Sequence, residues 1–163
     1  MENKLPRCLF IGKFFPLHLG HKKAITTLRG MFGNLVVAIG SPQNETFFTL
    51  DDRKKMLKES LEIIDPLVVE DLDESHPLYN NWGEYVIKKT GSIDIVASGN
   101  EYVKQDFLNV GIPVMVLPRY DEISGTKIRE KIISRDPTWE DLVDFPVRRI
   151  IKESAFYRAI GTK

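Results

Sequence analysis

The chain has 163 residues, 42% of them hydrophobic and 28% charged, enough for one domain with a sizeable core and too few for two comfortable ones. Its 23 lysines and arginines balance 23 aspartates and glutamates, so no net field draws nucleic acid or an anionic membrane, and an anionic ligand needs a local basic pocket. The single cysteine, Cys8, cannot close an intrachain disulfide and reads as a small buried thiol, while no run reaches the ~18 apolar residues of a membrane helix.

Met1-Glu2-Asn3-Lys4 carries an acid and no apolar h-region, so a soluble, cytoplasmic protein is expected. From there, short apolar runs alternate with segments of helical period. Strands are predicted over 9–11, 35–39, 67–69, 93–97 and 114–117, where branched and aliphatic residues cluster. Helices are predicted between them, over 21–31, 51–64, 81–89 and 101–109. In the second, Leu50, Leu57, Leu61 and Ile64 share one face, and Thr49 to Asp52 resembles a capping box. Gly33, Gly91 and Gly111 stand where helices end, and Pro66 and Pro113 stand where strands begin. This alternation implies an α/β fold, a doubly wound five-stranded parallel sheet covered on both faces.

From Ser124 onward the pattern is helical. Ile128, Ile132 and Ile133 make a stripe, Trp139 to Val143 a short piece with Trp139 as packing, and Pro146 opens a final helix to Ile160. No linker or repeat interrupts the chain, so one domain over 1–163 is expected, with an α/β core over 1–123 and a helical C-terminal extension over 124–163.

Two constellations carry chemistry. His18-Leu19-Gly20-His21 follows the first strand and uses two of the chain's three histidines. A strand, a glycine-containing turn and a helix start is where α/β proteins hold phosphates. Gly12 and Gly20 let a ligand approach the backbone, and Lys13, His18 and His21 can converge on one anion, stabilising charge at a phosphorus centre without covalent attachment. The second is Ser124-Gly125-Thr126-Lys127-Ile128-Arg129: Ser124 is a natural N-cap, Gly125 keeps the first turn open, and Arg129 lies one turn in. Together they make two jaws for a polyphosphate.

These residues resemble the nucleotidylyltransferases of the His-x-Gly-His superfamily, with Ile123-Ser124-x-Thr126-x-x-Arg129 as the second signature. More narrowly, the whole chain is similar to the archaeal-type nicotinamide-nucleotide adenylyltransferases, through Gly40-Ser41 after the second strand, Phe48-Thr49 with Arg53, Trp82, and Ser98-Gly99-Asn100 after the fourth strand. The resemblance implies a Rossmann-like fold, a homo-oligomer, and transfer of AMP from ATP to nicotinamide mononucleotide with Mg²⁺ held by the ATP phosphates and no protein metal ligands. It places His18, His21, Lys13 and Arg129 in catalysis. It places Gly12, Phe14, Gly20, Ser124, Thr126, Ser98, Gly99 and Asn100 around ATP, and Trp82, Phe48, Arg53, Gly40 and Ser41 around the mononucleotide. Lys13, Phe15 and Leu17 depart from the Arg, Gln and Phe of the family's first motif, and Lys13 loses the bidentate fork that arginine offers.

Several positions carry a structural alternative. Trp82 is either a platform for the cationic pyridinium or a core aromatic. One of Phe47 and Phe48 either lines the pocket or is a loop residue without that role, Arg53 either reaches the mononucleotide phosphate or lies on a solvated face, and Asn100 is either a ligand contact or simply a helix cap. His76 reads as a surface residue. Gly125-Thr126-Lys127 and Gly161-Thr162-Lys163 lack P-loop spacing, Asp71, Asp73 and Glu74 lack a calcium pattern, and the lysine doublets are too short for a nucleic-acid stripe. Two other functions fit the same motifs: transfer to a different acceptor (phosphopantetheine, flavin mononucleotide, or a phosphoalcohol with CTP), and a nucleotide-binding regulator without turnover.

Overall fold

The five apolar runs form β1 (Arg7–Gly12), β2 (Asn34–Ser41), β3 (Leu67–Glu70), β4 (Ile95–Ser98) and β5 (Val114–Val116) in the computed structural model, which describes residues 4–44 and 47–161. Met1-Glu2-Asn3 and Thr162-Lys163, weighed above for a leader and a P-loop, lie outside the described residues. The sheet order is β3-β2-β1-β4-β5, and all four pairings are parallel. This is the doubly wound, Rossmann-like α/β sheet that the alternation predicts.

Register explains the core. Leu9 lies opposite both Val36 and Val96, Ala38 opposite Ile11 and Leu67, and Val96 opposite Val114, so these side chains share one face. That face packs under α3 (Trp82–Thr90) and α4 (Glu101–Asn109) through Val86 and Phe107, with Ile93 beside them. Cys8, Phe10, Val37, Ile39 and Ala97, of the opposite parity, are buried too, as near-continuous apolar strands require. Burial raises the Cys8 thiol to about 11, which makes it inert. The order reverses at β1, so Gly12 and Ser98 end neighbouring strands at the topological switch point.

Local chemistry sets where the elements stop. The helix α2 (Leu50–Leu61) opens on the expected capping box: Thr49 accepts from the Asp52 amide at 3.0 Å and its own amide donates to the Asp52 carboxylate at 3.1 Å. It ends at Glu62, which takes the left-handed conformation, φ 57°. Ile64 therefore leaves the apolar face and is 68% exposed. Gly91 and Gly111 do adopt φ 77° and 78°. Gly33 does not; a Cβ there would stand 2.3 Å from Leu5 Cδ1, so close approach is what it provides. Gly40 and Ser41 close β2 rather than follow it, Gly40 pairing with Val69.

The chain divides into two compact units. The sheet unit comprises the stretch through Gly12, Ala24–Gln43 and Leu67–Pro118, and the helical unit comprises Lys13–Lys23, Asn44–Pro66 and the chain from Arg119 onward. The helical unit holds the first turn of α1 (Leu19–Met31), then α2, α5 (Gly125–Ile133), a 3₁₀ helix (Pro137–Leu142), α6 (Phe145–Glu153) and α7 (Ala155–Gly161). The predicted final helix is thus two. Ser154 breaks it with an extended backbone, capping α7 by accepting from the Tyr157 amide while its hydroxyl donates to Ile151. In α5 the buried stripe is Ile128 and Ile132; Ile133 is exposed. Trp139 packs as expected, buried edge-on to Tyr157. No described helix is long and apolar enough to cross a membrane.

Candidate active site

The helix α1 starts at Leu19, two residues earlier than predicted, so His18 stands at its cap and Gly20 and His21 in its first turn. The His21 amide donates to His18 Nδ1 at 3.3 Å, and the His18 amide donates to His21 Nδ1 at 3.4 Å. This is the reciprocal geometry of a capping box, built from two imidazoles in place of a hydroxyl and a carboxylate. It gives the three-residue spacing a physical reason. The rings stack, centroids 3.7 Å apart at 23°, and the space that a Cβ on Gly20 would need is taken by the His18 ring, 3.0 Å away.

The same geometry fixes protonation. Burial pushes His18 down to about 4, and burial together with the neighbouring His18 holds His21 well below the usual imidazole range. Both rings are therefore neutral at pH 7. Since Nδ1 of each accepts an amide, the proton sits on Nε2, which makes each ring a neutral donor. Nitrogen-detected titration of the imidazoles is expected to show Nε2–H tautomers and a His18 midpoint near 4. Between pH 6.5 and about 4 the unfolded chain binds a proton that native His18 refuses, so stability falls as pH falls through that window. A His18 midpoint near 6.5 would contradict the buried, reciprocally bonded pair.

Between β1 and α1 the loop is held under strain. Phe14 is buried with φ 55°, a conformation costly for a bulky residue and found where surrounding structure over-determines it. Its ring meets His21 edge-on at 4.9 Å. From α2, Arg53 donates Nη1 to the Lys13 carbonyl at 3.1 Å and Nε to the Thr49 carbonyl at 3.4 Å, its guanidinium 4.5 Å from the centre of the Phe15 ring. Arg53 has no exposed surface. It is therefore not on a solvated face. It braces the loop, with the hydrogen bonds a buried charge requires.

The second signature meets this loop. Ser124 caps α5 by accepting from the Lys127 amide at 3.2 Å. Arg129 donates Nη1 to the Phe15 carbonyl at 2.7 Å and Nη2 to Thr126 Oγ1 at 3.3 Å. Gly125 does more than open the turn, since a Cβ there would stand 2.6 Å from the Phe15 carbonyl oxygen. A residue distant in sequence thus touches the loop that ends in His18. Lys22, next to His21, donates to Asp144 at 2.8 Å; Asp144 also accepts from Ser60 and caps α6 at the Val147 amide. Burial raises the Asp144 carboxyl, but Lys22 and Ser60 more than offset it and hold the group below its ordinary value.

So Lys13, Phe14, His18, Gly20, His21, Arg53, Ser124, Thr126 and Arg129 belong to the helical unit, with Lys13 exposed and the Phe14 side chain buried. Phe48, expected at the mononucleotide, also has no exposed surface and packs edge-on against Phe156 at 5.3 Å. Phe47 is the more open of the pair, and it lies under Arg129. Gly12, Gly40, Ser41, Trp82, Ser98, Gly99 and Asn100 belong to the sheet unit. There Asn100 caps α4 at the Tyr102 amide, 2.9 Å, and the Asn100 amide donates to Ser98 Oγ at 3.0 Å. Trp82 is half-buried, its indole N–H donating to the Glu70 carbonyl at 3.2 Å and its ring edge-on to Phe107 at 6.2 Å. His76 is half-buried as well, accepting from the Leu78 amide and meeting Tyr85. Sequence reading missed Phe15 and Phe47 as partners of arginines; the aromatic doublets Phe14-Phe15 and Phe47-Phe48 beside basic motifs were the available signal.

Comparison with known proteins fits this geometry. The family model described as cytidylyltransferase-like matches residues 9–131. The nicotinamide-nucleotide adenylyltransferase of Thermococcus kodakarensis is 35% identical over 158 residues, covering 90% of this chain and 82% of the relative. That of Methanosarcina acetivorans is also 35% identical, covering 90% and 88%. Among solved structures, a bifunctional NMN adenylyltransferase/ADP ribose pyrophosphatase from Francisella tularensis, complexed with AMP and manganese, superposes with a TM-score of 0.67 at 19% identity. It covers 98% of this chain, which spans about half of that longer protein, 52%, and the likeness establishes the fold. The chain belongs to the cytidylyltransferase-like family and, within it, to the nicotinamide-nucleotide adenylyltransferases.

Proposed function

We propose that this enzyme transfers the adenylyl group of ATP to nicotinamide mononucleotide. A phosphate oxygen of the mononucleotide forms a bond to the α-phosphorus, the bond between the α-phosphorus and its bridging oxygen to the β-phosphate breaks, and NAD⁺ and pyrophosphate result. The observation that carries this reading is the neutral His18–His21 box, whose loop carbonyl at Phe15 receives Arg129 at 2.7 Å. The nucleophile is already ionised, so no general base is needed, and catalysis reduces to positioning and stabilising charge. Two Nε2–H donors at the reacting phosphorus centre and a guanidinium at the β- and γ-phosphates supply that. Ser124 and Thr126 would line the helix start, and Lys13 adds a point charge. Gly12, Gly20, Ser98, Gly99 and Asn100, with the main chain of Phe14, complete the ATP side of this reading, and Gly40 and Ser41 the mononucleotide side.

No group of three or more His, Cys, Asp or Glu side chains placed to hold a metal ion occurs among the described residues. In this reading a divalent cation, Mg²⁺, accompanies the triphosphate and would supply charge neutralisation there. A cytoplasmic homo-oligomer belongs to the same reading.

Trp82 supports the choice of acceptor. Its indole is oriented by the Glu70 carbonyl, and a Trp face attracts a cationic pyridinium more than a neutral ring. Incubation with ATP, nicotinamide mononucleotide and Mg²⁺ is expected to release pyrophosphate and NAD⁺, and Trp82→Ala should weaken binding of the mononucleotide about 3- to 30-fold with ATP binding little changed. Turnover only with another acceptor would reassign the substrate, absence of turnover at high enzyme concentration would defeat the reading, and equal losses for both ligands would remove Trp82 from the acceptor site.

A further inference from the structure

Arg129 is held by more than its own helix. Its guanidinium carbon lies over the Phe47 ring, 4.4 Å from the centre, well inside the range of cation–π attraction. Phe47 in turn makes T-shaped contacts with two further rings, 6.0 Å from Phe15 and 5.4 Å from Phe156 between centres. Phe15 then carries the guanidinium of Arg53 on its ring at 4.5 Å, while its carbonyl takes Nη1 of Arg129. The result is a ladder, guanidinium, ring, ring, guanidinium, anchored at one end by an arginine with no exposed surface.

This ladder constrains what Arg129 can do. A guanidinium has five N–H donors, and the described contacts engage one on Nη1 and one on Nη2. Three remain, on a planar group whose tilt is set by an aromatic face and whose rotation is set by two oxygens. A long flexible side chain is thereby held in one orientation before any ligand arrives, which removes the entropy an unconstrained arginine loses on binding. Neither phenylalanine belongs to the signatures, and position 15 is one where this chain departs from the family motif.

We infer that Phe15 and Phe47 form an aromatic bracket that presents the Arg129 fork to the triphosphate, which makes Phe47 a positioning residue for ATP and not for the acceptor. The inference rests on the reading of this chain as an adenylyltransferase. Phe47 acts through the π face it offers, so a ring is required and mere volume is insufficient.

The test compares Phe47→Leu, Phe47→Met and Phe47→Tyr by steady-state kinetics, with calorimetric binding of pyrophosphate as a readout independent of turnover. Phe47→Leu and Phe47→Met are expected to raise KM for ATP and Kd for pyrophosphate about five- to tenfold, with KM for nicotinamide mononucleotide unchanged; Phe47→Tyr, which keeps the face, stays within about twofold. In an Arg129→Lys background, Phe47→Leu should add nothing further, as a double-mutant cycle reads directly. Wild-type affinity for pyrophosphate in both Leu and Met variants, a Tyr variant as weak as Leu, or an undiminished Phe47→Leu effect in the Arg129→Lys background would each overturn the bracket. An inactive wild-type enzyme would instead overturn the functional reading, and the pyrophosphate arm separates the two failures.

Discussion

Replacement of His18 by alanine is expected to lower kcat by about 10²- to 10³-fold, the usual consequence of removing one donor aimed at developing charge, while the Kd for ATP rises only a few-fold. His18 is a neutral donor in a nearly enclosed position, where a hydrogen bond to the charge growing on the phosphorus oxygens is worth more than in water. Alanine also removes half of the imidazole capping box, which accounts for about 1 kcal/mol of stability. These two losses can be separated. His18→Asn retains an acceptor for the His21 amide, so it is expected to recover thermal stability without recovering turnover. Single-turnover rates, calorimetric ATP affinity and melting temperature on the three proteins decide the matter. A His18→Ala enzyme within a few-fold of wild-type kcat would return His18 to an ordinary cap.

Much of this is legible in the amino-acid sequence. Branched runs, prolines and helix caps placed all five strands, and Thr49, Asn100 and Ser124 cap the helices they were expected to cap. These are local rules, and sequence carries local rules well. What was not legible shares one cause. Arg53, Phe48 and Phe14 are enclosed by segments distant in sequence or by strained backbone, and polarity or loop context gives no hint of such enclosure. Ile64 and Ile133 continued an apolar period that the chain does not use, because Glu62 turns left-handed before the first, and Ile128 and Ile132 already fill the buried side of α5 beside the second. Ser154 divides the last helix through a side-chain capping bond that a propensity reading passes over. The spacing of the two histidines was legible as a motif, whereas its reason, mutual capping, depends on ring orientation and needed the structure.

Gly125→Ala is expected to reduce kcat/KM about 100-fold, although it adds a single methyl group on a residue that touches no substrate in the proposed reaction. The added carbon would stand 2.6 Å from the Phe15 carbonyl oxygen, 3.2 Å from its carbon and 3.1 Å from Arg129 Nη1. Two of those neighbours are main chain, in a loop pinned by Arg53 and ending in the histidine box, so neither can withdraw cheaply. Overpacking of this kind costs about 1–3 kcal/mol in stability. A forced shift of α5 away from the loop also breaks the Arg129 contact that joins the two signatures, and a displacement of about 1 Å at reacting groups costs on the order of 100-fold in rate. Gly30→Ala supplies the control: nothing lies within 4 Å of its added carbon, and its place inside α1 predicts a gain of about 0.5–1 kcal/mol at full activity. Melting curves and kinetics on both variants test the contrast. Normal turnover in Gly125→Ala would mean that α5 and the histidine loop need not touch for catalysis, and that the 2.7 Å bond from Arg129 to Phe15 serves packing alone.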